Sequence, residues 1–122
     1  MTDYAEVWVW TVDVVPGDSA TPDIAGYDVS ARDGNIGKVE EVVNKDGRAY
    51  IVVDTGFWIF EKKRLMPAGA VDSVDHENRR INVRLTKDEI RQAPDYDAEQ
   101  RDADAVRREH EDFYGKPRNA VR

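Results

Sequence analysis

An Asp-Gly dipeptide between two runs of β-branched residues is the sequence feature that most constrains the fold. It lies in the turn Lys45-Asp46-Gly47, after residues 39–44 and before residues 48–55. A tight hairpin turn needs positive φ, which glycine adopts readily, so the pattern predicts an antiparallel hairpin. In the second arm Ile51-Val52-Val53 is apolar on both faces of a strand, which predicts burial on both sides.

Other segments predict a mainly β domain with short helices after it. Strand signals occur in residues 24–31, in residues 36–43 with a bulge expected at Gly37, and in a second hairpin formed by residues 71–74 and 79–85. Thr86 and Glu89 form a capping-box pattern that predicts a short helix ending before Pro94. A second helix is expected over residues 101–114, with His110 on its narrow apolar face.

The N-terminal segment, residues 4–15, is rich in aromatic and β-branched residues and predicts an additional strand. Trp8 and Trp10 would share one face of it. Each tryptophan buries roughly 150–250 Å² when covered, so the strand needs a surface to pack on. That surface is either the rest of the chain or a second copy of it, with disorder or capture of another protein as further alternatives. Trp8 and Trp10 are the predicted self-association residues.

Charge and composition narrow the function classes. The 122 residues carry a formal net charge of −7, which disfavours general binding to phosphate backbones. The chain has no cysteine, which excludes disulfides and thiolate metal sites and fits a cytoplasmic location. No apolar run approaches the ~20 residues that span a bilayer, and no secretory signal is recognisable, so membrane insertion is not expected.

The segment from Phe57 to Arg64 has the most unusual local composition. Four large apolar residues precede three cations, and both faces of a strand with this sequence cannot enter one small core. In one interpretation the aromatic residues fill the core and the cations form a solvated rim. In the other, the aromatic residues on the second face form an exposed patch that binds a protein partner. The residues assigned to that partner patch are Phe57, Trp58, Phe60, Lys62, Lys63 and Arg64.

No residue set predicts catalysis, a metal site or a cofactor. His76 and His110 lack partners at metal-ligand spacing and are expected to be ordinary surface histidines. The serines lack a nucleophile-elbow pattern, and no glycine-rich loop leads into a helix. Glu40 and Glu41 are adjacent, so in a strand their carboxylates point to opposite faces. The chain is therefore expected not to be an enzyme.

Several short motifs, taken in order, resemble the PRC-barrel family. They lie in residues 24–29, 33–39, 50–54, 63–67, 70–72 and 85–94. The resemblance covers residues 24 to 96 and implies a small β-barrel without catalytic activity. The family also includes a domain of the photosynthetic reaction-centre H subunit and one of a ribosome-maturation factor. The chain shows nothing like the transmembrane helix of the first or the extra domain of the second, so neither function is expected to transfer. Residues 57–60 replace a glycine-rich loop of many members.

We therefore expect a mainly β protein, a small PRC-type barrel with an N-terminal strand extension and short C-terminal helices. The predicted divisions are an N-terminal strand and linker (1–23), the barrel (24–96) and a helical tail (97–122). The predicted function is a non-enzymatic protein-interaction module that forms a homodimer. The alternative is an RNA- or ribosome-associated factor, favoured if Lys62, Lys63, Arg64, Arg80 and Arg84 converge on one face.

Overall fold

The structure, a computed structural model, describes residues 7–8, 10, 24–45, 48–56, 63–94, 96, 99 and 103–115. The elements, in chain order, are β1 Asp28–Ala31, β2 Gly34–Lys45, β3 Arg48–Asp54, β4 Lys63–Pro67, a 3₁₀ turn Ala68–Ala70, β5 Val71–Asp75, β6 Arg80–Val83, α1 Lys87–Arg91 and α2 Asp104–Gly115. The expectation of a mainly β chain with short C-terminal helices is confirmed.

The six described strands form one sheet in the order β4-β3-β2-β1-β6-β5. All neighbours are antiparallel except β1 and β6, which are parallel. The 3₁₀ turn Ala68–Ala70 connects β4 directly to β5, the two ends of this order. Six flat strands would place those ends about 24 Å apart, whereas the turn spans at most about 15 Å. The sheet must therefore curl strongly, as the predicted barrel requires.

The two predicted hairpins are present. Strands β2 and β3 pair antiparallel from Lys38 opposite Asp54 to Lys45 opposite Arg48. The residues between them, Asp46 and Gly47, lie outside the described part of the chain. The three central residues of β3, Ile51 to Val53, are fully buried, as their apolar character on both faces predicted. The second hairpin pairs β5 with β6.

The bulge predicted at Gly37 is displaced. Gly37 stays in register opposite Val29, and the extra residues of β2 are Ile36 and Glu40, where the pairing shifts by one. Gly37 is needed for another reason. Its φ is +153°, and a Cβ at this position would lie 2.0 Å from the backbone oxygen of Asp54. Any other residue would collide with β3, so glycine permits the close approach of the two backbones.

Described residues on both sides of the sheet segment in the sequence pack against the sheet. The capping box is present, because the Thr86 side chain accepts from the Glu89 backbone N–H and the Glu89 side chain accepts from the Thr86 N–H.

Val7 and Trp8 belong to the buried core, together with Tyr114 of α2. At Val7 and Trp8 the backbone is 3₁₀ rather than extended, so the predicted strand is wrong at these two residues. Trp8 is nevertheless buried, with its ring against that of Tyr50. The rest of the predicted strand, apart from Trp10, lies outside the described residues.

Candidate functional site

A groove lies at the end of the β2–β3 pair. In the sequence, its last lining residue, Gly56, directly precedes the aromatic segment that begins at Phe57. The volume of the groove is about 340 Å³, and it is lined by residues 35–38 of β2 and residues 54–56 at the end of β3. Gly37 lines the groove at the point where β2 approaches the Asp54 backbone closely. Gly56, with φ of +70°, turns the chain out of β3, and its N–H donates to the Asp54 carboxylate at 2.9 Å.

The groove is mainly apolar, with charge at its rim. Lys38 and Asp54 are its charged lining residues. Lys38 Nζ donates to Asp28 Oδ1 at 2.8 Å, and this bond holds the pKa of Asp28 below its ordinary value. Among the described residues no group of three or more histidine or acidic side chains is placed to bind a metal ion. The groove can accept an apolar group, and Lys38 and Asp54 are among the residues that line it.

The described part of the predicted partner patch consists of Lys63 and Arg64. Lys63 lies at the surface and pairs with Glu40, with 2.8 Å between Nζ and Oε2. This hydrogen bond raises the pKa of Lys63. Phe57, Trp58, Phe60 and Lys62 lie outside the described residues. Their assignment to a partner patch stays a prediction.

Arg64 is only 3% exposed. Its guanidinium donates to the backbone oxygens of Ile90 (3.2 Å) and Arg91 (3.3 Å), at the C-terminus of α1. A helix C-terminus carries partial negative charge and free carbonyls, so a cation is favourable there. Arg64 therefore holds α1 on the sheet, and its charge is engaged inside the chain rather than displayed on the patch to which the sequence assigned it.

Trp8 is 4% exposed and is covered by its own chain. Its ring forms a T-shaped contact with that of Tyr50, with 6.0 Å between the ring centroids. Its indole N–H donates to the Glu111 carboxylate of α2 at 2.7 Å. The Arg48 guanidinium lies 5.8 Å from the ring centroid. Trp10 is half-buried against the same core. The assignment of Trp8 and Trp10 to self-association stays a prediction.

The sequence analysis predicted neither the backbone contacts of Arg84 nor the burial of His110. Arg84, which the sequence analysis named only among the cations that could converge on one face, donates to the Gly69 oxygen at 2.6 Å and to the Tyr114 oxygen of α2 at 2.9 Å. Burial lowers the pKa of Arg84. The residues around Arg84 in the sequence do not predict this contact, because it depends on where α2 packs.

His110 was predicted at the surface, and that prediction is wrong, because the residue is fully buried. Its place on the narrow apolar stripe of α2 was the signal that could have identified it. His76 is exposed, as predicted, and its Nδ1 lies 2.9 Å from the Tyr27 hydroxyl.

The curled six-stranded sheet with its helices at the C-terminal end defines a small barrel-type β domain. The family model of the PRC-barrel domain matches residues 16–90, and the chain belongs to that family. The matched range begins before the predicted boundary at residue 24 and ends before residue 96. No curated protein matches the chain.

Among solved structures the chain is similar to a protein of Pseudomonas aeruginosa described as a candidate 16S ribosomal RNA processing protein, RimM. The identity is 20%, the TM-score is 0.44, and the match covers 53% of this chain and 42% of that one. The chain thus spans less than half the length of that protein, and a likeness of this size carries no functional argument. None of the described helices is long and apolar enough to cross a membrane.

Proposed function

We propose that the chain is a non-enzymatic protein-interaction module of the PRC-barrel type. Its partner is a protein that inserts an apolar side chain into the groove between residues 35–38 and 54–56. The observation that carries this proposal is the groove itself, which is mainly apolar and large enough for one or two side chains. In the sequence, its last lining residue, Gly56, directly precedes the aromatic segment 57–60. Apolar pockets and aromatic anchors are common features of binding sites.

The alternative, an RNA- or ribosome-associated factor, requires cations that converge on one face. Arg64 and Arg84 instead donate to backbone carbonyls inside the chain. Lys38 and Lys63 are paired with Asp28 and Glu40. The positive charges described near the groove are thus balanced locally, on a chain of net charge −7. These observations favour a protein partner over a phosphate backbone.

The proposal is tested by capture of partners from native lysate with two variants that alter the candidate site. Trp58→Ala removes an aromatic anchor. Gly56→Asn adds a side chain beside the groove where a Cβ meets nothing within 4 Å, and asparagine tolerates the positive φ of +70°. Gly26→Asn is the matched control, because Gly26 also has a positive φ, +87°, and does not line the groove. A Cβ added at Gly26 would lie 4.0 Å from the nearest atom, Arg79 Nη2.

We expect a protein that wild type and Gly26→Asn retain and that Gly56→Asn and Trp58→Ala lose. Equal retention by all four chains would contradict a role for the groove. Recovery of RNA, with affinity that falls steeply as salt rises, would support the ribosome-associated alternative instead. Self-association belongs to the same proposal and is tested separately below, and a cytoplasmic location stays an expectation.

A further inference from the structure

Helix α2 is attached to the sheet by few contacts. Tyr114 and His110 are its buried residues, and most of its other side chains are charged. The Tyr114 backbone oxygen accepts from Arg84, and the Glu111 carboxylate accepts from the indole of Trp8. The helix thus contacts Trp8, whose ring packs against that of Tyr50.

His110 occupies the centre of this contact. It is 0% exposed, and its ring stacks on that of Tyr114, with 6.2 Å between centroids and 6° between planes. Its Nδ1 lies 2.8 Å from the Val106 oxygen. Because a carbonyl oxygen only accepts, Nδ1 carries the proton, and the neutral ring leaves Nε2 unprotonated. Within the described residues Nε2 is buried and meets no hydrogen-bond partner.

The surroundings of His110 oppose a positive charge. The charged groups that act on it are the Arg64 guanidinium from β4, which is repulsive, and Glu109 from its own helix, which is attractive. Burial outweighs the attraction, so the pKa of His110 is lowered from its ordinary value. A second proton would place an N–H donor at Nε2 in a site that supplies no acceptor among the described residues.

We propose that α2 is an acid-released cover of Trp8. Protonation of His110 breaks the fit of α2 against the sheet, the helix detaches, and Trp8 loses its indole hydrogen bond to Glu111. This function is separate from the groove, because none of these residues lines it. The strand pairing involves no residue of α2, so we expect the sheet to stay folded when the helix detaches.

The direction of the pH effect follows from linkage. The docked pKa lies below the free value of 6.5, so the docking stability is fully present above pH 6.5 and falls as the pH drops toward the docked pKa. For one proton and a free pKa of 6.5, the docking equilibrium constant falls at most about tenfold between pH 7.5 and pH 5.5.

The test is amide hydrogen exchange of the full chain at pH 7.5 and pH 5.5, compared as protection factors. The chain contains two histidines, so His76→Gln is a matched control for His110→Phe. Phenylalanine preserves the ring at residue 110 without a titrating group, and His110→Gln serves as a second non-titrating variant if the first does not fold.

In wild type and in His76→Gln, we expect the protection of residues 104–115 to fall by up to about tenfold at pH 5.5 while β3 stays protected. In His110→Phe or His110→Gln this fall disappears. An unchanged α2 in wild type would overturn the proposal. So would an equal fall in the His110 variants, or a loss of protection in α2 and β3 together.

Discussion

Replacement of Gly37 by alanine tests the close approach of the β2 backbone at Gly37 to the β3 backbone at Asp54. The added Cβ would lie 2.0 Å from the Asp54 oxygen and 2.9 Å from the Asp54 carbonyl carbon. Both neighbours are backbone atoms, so no side-chain rotation can relieve the contact. Strand β2 would have to move away from β3 by about 1 Å to reach an acceptable distance.

The cost has two parts. A non-glycine residue at a φ of +153° is strained by about 1–3 kcal/mol. A separation of about 1 Å also breaks at least one ladder hydrogen bond near the Lys38–Asp54 pair, which costs about 1–3 kcal/mol when the freed group is buried. Together these predict a loss of about 2–6 kcal/mol in the free energy of unfolding.

Gly56→Ala is the matched control. Its φ is +70°, and its Cβ would meet nothing within 4 Å, so only the conformational cost of about 1–2 kcal/mol applies. The assay is urea unfolding followed by far-ultraviolet circular dichroism. With a slope of about 2 kcal/mol per molar urea, the midpoint of Gly37→Ala should lie about 1 M below that of Gly56→Ala. Equal midpoints for the two variants would refute the inference that Gly37 is required by close backbone packing.

Two further predictions concern the attachment of α2 and the oligomeric state. Arg84→Met should lower the free energy of unfolding by about 1–3 kcal/mol, because the Gly69 and Tyr114 oxygens lose charge-assisted hydrogen bonds. Arg80→Met, which removes one bond to the Ser30 hydroxyl from an exposed side chain, is its control and should cost less than about 1 kcal/mol in the same urea assay. Sedimentation at micromolar concentration should show a dimer if the chain self-associates as predicted, and a monomer at that concentration would remove self-association from the proposal.

The candidate site was only partly visible in the sequence. The sequence analysis placed His110 on a narrow apolar face of its helix but still assigned it to the surface, so its burial was missed. The apolar position was a signal, but burial itself depends on which surface the helix meets. Arg64 and Arg84 were interpreted as surface charges for the same reason. Their long side chains reach carbonyls at the ends of α1 and α2, which are distant in sequence.

The groove was not predictable at all. It forms where β2 passes close to Asp54 and where Gly56 turns the chain away, and each of these features requires the paired strands to be in place. The sequence indicated only that the aromatic segment after it was unusual. The bulges at Ile36 and Glu40 likewise follow from strand register, which several placements of the same hydrophobic residues would satisfy.

Local chemistry in the sequence determined the β-hairpins, the capping box at Thr86 and the mainly β character of the chain. These features depend on turn geometry, β-branched side chains and hydrogen bonds between residues a few positions apart. Tertiary structure decided the strand order, the groove between residues 35–38 and 54–56 and the burial of Arg64, Arg84 and His110. Those outcomes depend on contacts between distant segments, whose free energy is set by packing and desolvation once the sheet has curled.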